Sequence, residues 1–270
     1  MQREDVLSQV EDVAEEFLRR AKHWLPHVAR VCLISTFIED GIRMFTQWED
    51  QVDFFEETYR CGLFFAGVMV FFNMIGQILP CGLILARKFV GAACCVLAFI
   101  VVFQAVVYAI FWDLQFLARS VAVGGSLLLL YAETYQENRS LFAGVPQADD
   151  DNKPKSYLVF AGRSLLVLMF VSTMKLGGSP LKVLELLVGS VLMSLVTVGF
   201  KTRLSALVLV CWLFCLNLYL NHWWAVRADR YYRDFMKYDF FQTMSVIGGL
   251  LLVICLGPGG VSMDDYKKRM

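Results

Sequence analysis

The sequence predicts an all-α protein, a polytopic transmembrane bundle of about eight helices built as two related four-helix units. Three observations carry that reading. Hydrophobic residues fill 57% of the chain and charged residues only 19%, against about 25% charged in an ordinary soluble domain. Apolar runs near the length of a membrane-crossing helix recur along the whole sequence. The two halves of the chain also repeat short patterns in the same order.

Residues 1–25 form the first segment. Val6, Val10, Val13 and Phe17 recur at helical spacing among acids and bases, which predicts an amphipathic cytosolic helix lying on the membrane face or packing on the bundle. The start MQREDVLSQVEDVAEEF is acidic and has no apolar core, so no cleavable signal peptide is expected.

Residues 26–132 make the first four-helix unit. Its apolar runs are Val28–Phe45, Gly62–Ala86, Phe89–Trp112 and Phe116–Ala132. The first run is the weakest, because it contains Arg30, Glu39, Asp40 and Arg43. Residues 133–156 contain FAGVPQADDDNKPK, whose Pro, Gly, Asp and Asn content predicts a linker on the cytosolic side. Residues 157–256 make the second unit, with runs Tyr157–Met174, Val183–Phe200, Leu204–Trp224 and Phe240–Leu256. Gly257 and Pro258 stop the last run, and residues 257–270 form a tail.

The repeat rests on three matches. Arg30-x-x-Leu33-x-x-x-Phe37 is echoed by Arg163-x-x-Leu166-x-x-x-Phe170. Gly76 before Arg87-Lys88 is echoed by Gly189 before Lys201-Thr-Arg203. Asp113 before Gly124-Gly125 is echoed by Asp239 before Gly248-Gly249. An even number of spans places both termini on one side, and the distribution of Lys and Arg makes that side cytosolic. Asn138-Arg-Ser140 is the one glycosylation sequon, in the predicted cytosolic linker, where it would stay unmodified.

Zero formal net charge implies no bulk attraction to nucleic acid. Most of the eight cysteines lie in or beside apolar runs and read as small buried hydrophobes. His23 and His27 are four apart, but Pro26 lies between them and no acidic or thiol partner has metal spacing. Neither a metal nor a cofactor is expected, and no enzymatic motif is present.

The informative polar residues are those inside the apolar runs, where ionisable groups are costly and face a cavity or a partner. Glu39 and Arg43 stand four apart and can pair on one helix face. Glu39, Asp40, Asp113 and Asp239 gather toward the lumenal side, near the aromatics Trp48, Tyr59 and Trp112. That set predicts an acidic, aromatic-lined pocket for a positively charged group beside apolar side chains, such as a free peptide N-terminus. In the tail, Lys268 and Lys267 occupy the third and fourth positions from the carboxyl end. A lysine pair so placed reads as a cytosolic retrieval signal of endoplasmic reticulum membrane proteins, an address and not an anchor.

The segments LPHVARVCLISTFIEDGIRM, GQILPCGLILARKFV, NRSLFAGVP, GFKTRLSAL and YDFFQTMSVIGGLLLVICLGPGGVSMDD together resemble the Surfeit locus protein 4 family of endoplasmic reticulum cargo receptors. That family is grouped with DoxX-like membrane proteins built from four-helix units. The resemblance implies a receptor cycling between the endoplasmic reticulum, the intermediate compartment and the Golgi. Its partners would be the lipid bilayer, soluble secretory cargo bound near the mature N-terminus, and forward and retrograde vesicle coats, with room for a homo-oligomer. Two other functions compete. Intramembrane charges and a repeat suit a small-molecule or lipid transporter. The DoxX-like analogy suggests a quinone-linked enzyme subunit, an argument from fold alone.

Overall fold

The computed structural model describes residues 13–108, 114–141, 153–173, 180–199, 201–227 and 231–257. Those residues form ten α-helices and a short 3-10 turn, with no strand among them. Helix α1 covers residues 13–21. The next four are α2 (Leu25–Thr46), α3 (Trp48–Tyr59), α4 (Leu63–Leu85) and α5 (Val90–Val107). The rest are α6 (Leu114–Leu141), α7 (Lys153–Thr173), α8 (Pro180–Val198), α9 (Thr202–Leu220) and α10 (Tyr231–Leu256). The 3-10 turn is Trp223–Ala225.

The ends of these helices follow local chemistry. Pro26 sits in the first turn of α2, where a missing N–H costs nothing. Gly257 closes α10 at φ 78°, with its N–H donating to the Val253 carbonyl. The α4–α5 turn puts Arg87 and Phe89 at positive φ, and the α8–α9 turn does the same with Gly199 and Lys201. Pro80 lies inside α4 and removes one rung of its hydrogen-bond ladder, leaving the carbonyl of Gly76 without its usual donor.

Helix α10 is the central post. From Val246 to Ile254 its apolar side chains are buried all around the helix, which marks a helix enclosed by others. Helix α2 runs antiparallel along it. The Ser245 hydroxyl donates to the Leu33 carbonyl at 3.0 Å, and the Thr36 hydroxyl donates to the Phe241 carbonyl at 2.9 Å. A Cβ added at Gly248 would lie 2.4 Å from the Leu33 nitrogen and 2.8 Å from the Ala29 oxygen. Only glycine lets the two backbones approach this closely. Helices α6 and α7 pack together as extensively as α10 and α2 do. A Cβ at Gly162 on α7 would lie 2.5 Å from Leu129 of α6 and 3.4 Å from the Gly125 oxygen.

Among the described residues, four helical segments are long and apolar enough to cross a membrane: Leu63–Leu85, Val90–Val107, Thr202–Ala225 and Tyr232–Leu256. They make this a helical membrane bundle. Each of the eight apolar runs coincides with a helix, α2 or α4 to α10, but α2, α6, α7 and α8 do not meet the same measure. Large apolar side chains on α4 and α5, among them Phe64, Phe71 and Phe99, remain exposed, as a hydrocarbon-facing surface requires.

Several boundaries differ from the sequence reading. Helix α3 was not expected. It lies between the first two apolar runs, and Val52 and Phe55 bury one face against Ala66 and Val70 of α4. The linker is shorter than residues 133–156, because α6 runs to Leu141 and α7 starts at Lys153. Helix α10 begins nine residues before Phe240, in the stretch between the last two apolar runs, bringing Lys237 onto the helix. In α1, Ala14 is buried and Leu18 packs on the core, while Val13 and Phe17 are exposed. Val6 and Val10 lie outside the described residues.

Candidate binding site

Helix α2 carries charge inside the bundle because neighbouring helices supply partners. Near its start, Arg30 is buried and forks onto Glu133 of α6. Its Nε donates to Oε2 at 3.1 Å, and Nη2 donates to Oε1 at 2.5 Å and Oε2 at 2.7 Å. A fork of this kind is the strong form of an ion pair.

Ten residues on, about 15 Å along the axis, α2 presents its second charged group. Glu39 is 3% exposed, and its Oε1 lies 3.4 Å from Nζ of Lys237 on α10. Asp40 turns the other way. One of its oxygens accepts from the Arg43 guanidinium. The other accepts from Gln77 Nε2 of α4 at 2.7 Å and from Gln104 Nε2 of α5 at 3.0 Å. The expected Glu39–Arg43 pair is therefore replaced by two direct pairs, Asp40–Arg43 and Glu39–Lys237. The physical reason is register: α10 delivers Lys237 to Glu39, leaving the guanidinium to Asp40 on the preceding turn.

Helix α3 covers this region with aromatic side chains. Tyr108 donates to Gln51 at 3.0 Å and stacks on Phe54 with ring centroids 5.6 Å apart. Tyr59 stacks on Phe55 at 6.3 Å and donates to the Val107 carbonyl. Trp48 packs on the same cluster. Beside it, Arg233 and Lys237 lie over the Trp223 ring, 5.4 Å and 5.8 Å from its centroid.

Of the residues expected to form the pocket, the structure joins Glu39, Asp40 and Arg43 and places Trp48 and Tyr59 in the helix above them. Asp239 stands on α10, half-buried, one turn before Thr243, whose hydroxyl donates to its carbonyl. Trp112, Asp113, Lys267 and Lys268 lie outside the described residues. The core of the cluster is not acidic: two carboxylates face two cations, and their charges sum to zero.

Sequence reasoning missed Glu133, Lys237, Asn73, Gln77 and Gln104. The first two were assigned to loops. The three amides were legible as polar residues in apolar runs, Asn73 and Gln77 four apart on one face of α4. A cleft of about 180 Å³ between α4 and α5, lined by Phe72, Gly76, Pro80 and Val96, is wholly apolar and offers no such chemistry. Among the described residues no cluster could hold a metal ion, and every cysteine is free.

The fold and its charges define a polytopic helical membrane protein with two paired polar clusters, separated along α2 by a packed apolar layer. Within that class the chain belongs to the SURF4 family, whose family model matches residues 4–270. It is 51% identical over 265 residues to the Surfeit locus protein 4 homolog of Drosophila melanogaster, covering 98% of each chain. It is 33% identical over 250 residues to the ER-derived vesicles protein ERV29 of Saccharomyces cerevisiae, covering 92% of this chain and 79% of that one. The Surfeit locus protein 4 homolog of Schizosaccharomyces pombe is 33% identical over 259 residues, with 94% and 85% covered. No solved structure matches.

Proposed function

We propose that this protein is a non-enzymatic cargo receptor of the endoplasmic reticulum membrane. It binds soluble secretory proteins in the lumen, near their mature N-termini, and carries them into vesicles bound for the Golgi. The observation that carries the reading is the end-to-end likeness to an ER-derived vesicles protein, together with a polar cluster set under aromatic side chains at one end of the bundle. In this reading the Asp40 end is lumenal and the Arg30 end cytosolic, with eight spans and both termini in the cytosol. Lys267 and Lys268 return the empty receptor through the retrograde coat. The mutual packing of α6 on α7 and α10 on α2 supports two related four-helix units.

Cargo joins the lumenal cluster while coats read the cytosolic side, so individually weak contacts gain avidity in a forming vesicle. The transporter reading has less support. Between Arg30 and Glu39, Leu33, Ile34 and Phe37 of α2 are buried in one apolar core with residues of α10, and the Thr36 hydroxyl is taken up by the Phe241 carbonyl of α10.

The test is secretion from cells lacking the protein, rescued by wild type or by a Glu39→Gln/Asp40→Asn variant. The reporter is one soluble protein with an apolar-Pro-apolar or an acidic mature N-terminus. Wild type should speed export of the first alone, and the variant should fail at normal expression. Export that ignores the receptor for both reporters would end the cargo reading.

A further inference from the structure

The buried stripe of α4 runs Ala66, Val70, Asn73, Gln77, Cys81 and Ile84. The first two lie under α3, and Gln77 bonds Asp40. Asn73 stands between them with none of its surface exposed, and neither its amide nitrogen nor its carbonyl oxygen has a hydrogen-bond partner among the described residues. One turn away, Gln77 donates to Asp40 but its own Oε1 is also unpartnered. Buried polar atoms are nearly always bonded, and leaving three unmet on two successive turns is a standing cost to the fold. Structure alone gives no return on that cost, since leucine would fill the same space.

The unmet atoms have a specific complement. Asn73 offers one donor and one acceptor side by side, and Gln77 a second acceptor. In an extended chain the N–H and the C=O of one residue lie on the same edge, and they match a carboxamide in both directions. The surroundings fix the charge of the ligand. Glu39 with Lys237 and Asp40 with Arg43 are already neutral pairs, so an uncharged stretch enters at less desolvation cost than an ionic one. The cover is α3, which is bounded by non-helical Gln47 on one side and by Arg60 and Gly62, both at positive φ, on the other. Beneath it lie Ala66, Val70 and Val107, a surface suited to apolar side chains.

We infer that Asn73, with Gln77 beside it, clamps the backbone of an extended apolar peptide, and that α3 is the lid over this clamp. The inference rests on the cargo-receptor reading and names what part of the cargo is held: the main chain, through its peptide groups, so that side chains can vary from one cargo to the next.

The experiment measures binding of a short apolar peptide with a free amino terminus to the purified full-length protein in detergent. The same peptide is then N-methylated at each peptide nitrogen in turn. With wild type, methylation at one position should weaken binding about tenfold, the worth of one good hydrogen bond. Asn73→Leu should weaken the parent peptide by a similar factor and lose the sensitivity to methylation. Its melting temperature should equal or exceed that of wild type, because an unmet amide has been removed. Equal binding and unchanged methylation sensitivity in Asn73→Leu would overturn the clamp, as would a lowered melting temperature with binding intact, the result expected of a water bridging Asn73 and Gln77. Should Asn73→Leu not fold, Asn73→Ala carries the same comparison. Failure of wild type to bind any apolar peptide would instead remove the cargo reading itself.

Discussion

Arg30 of α2 and Glu133 of α6, 103 residues apart in sequence, are joined by three hydrogen bonds inside the bundle. Both ends are enclosed: the guanidinium is 2% exposed and the carboxylate side chain 11%. Removing one partner of such a pair leaves a buried charge alone and costs about 3–5 kcal/mol, whereas apolar replacement of both is often tolerated. Arg30→Leu or Glu133→Leu should each lower the melting temperature in detergent sharply, and the double variant should recover most of the loss. Strictly additive losses would show that the two side chains do not depend on each other.

The second pair behaves differently. Lys237 is about a quarter exposed while Glu39 is enclosed, so solvent screens the lysine and weakens the pair. Lys237→Met should reduce stability by about 1–2 kcal/mol, below the Arg30 variants, because the loss falls on the carboxylate left behind. Adding Glu39→Gln should restore stability. A thermal melt of the single and double variants decides it, and a double variant weaker than either single one would refute the pairing.

Close approach of α10 and α2 depends on one glycine. The nearest atoms to a Cβ at Gly248 are backbone and cannot rotate away. Gly248→Ala should therefore separate the helices and cost about 1–3 kcal/mol, as overpacking does. Gly124→Ala is the control, since nothing lies within 4 Å of a Cβ there. Equal melting temperatures for the two variants would contradict the packing.

Asn138 tests the proposed topology. It lies near the end of α6, five residues beyond Glu133, at the end of the bundle we assign to the cytosol. Endoglycosidase treatment of the expressed protein should leave its mobility unchanged. A shift abolished by Asn138→Gln would place this end in the lumen and reverse the assignment.

The helices were legible because their apolar runs are long and their stops are local: Pro26 opens α2, Gly257 closes α10, and both signals act through a single residue's backbone. Glu133 was not legible. It follows the apolar run of α6 and precedes a polar stretch, and pattern alone ends a helix where hydropathy falls. Helix α3 was passed over for a related reason: WEDQVDFFEETY is acidic on average, so it falls outside the apolar runs although Trp48, Val52, Phe55 and Tyr59 recur at helical spacing. At the candidate site, Glu39, Asp40 and Arg43 stood out as charges in an apolar run. Their amide partners were visible but unassigned, because a hydrogen bond between helices 37 residues apart leaves no mark in spacing.

By itself the sequence determined that this chain enters a membrane, where its helices run, and which charged residues must find partners there. Those are properties of composition and of short-range periodicity, and the cost of an unpaired charge in hydrocarbon makes the last of them compulsory. Only the tertiary structure decided which partners they find. Antiparallel packing of α10 on α2 brings Lys237 to Glu39, the turn of α6 brings Glu133 to Arg30, and α4 with α5 delivers two amides to Asp40. Each pairing joins residues distant in sequence, and the helix register that sets it is fixed by close contacts such as Gly248 on Leu33.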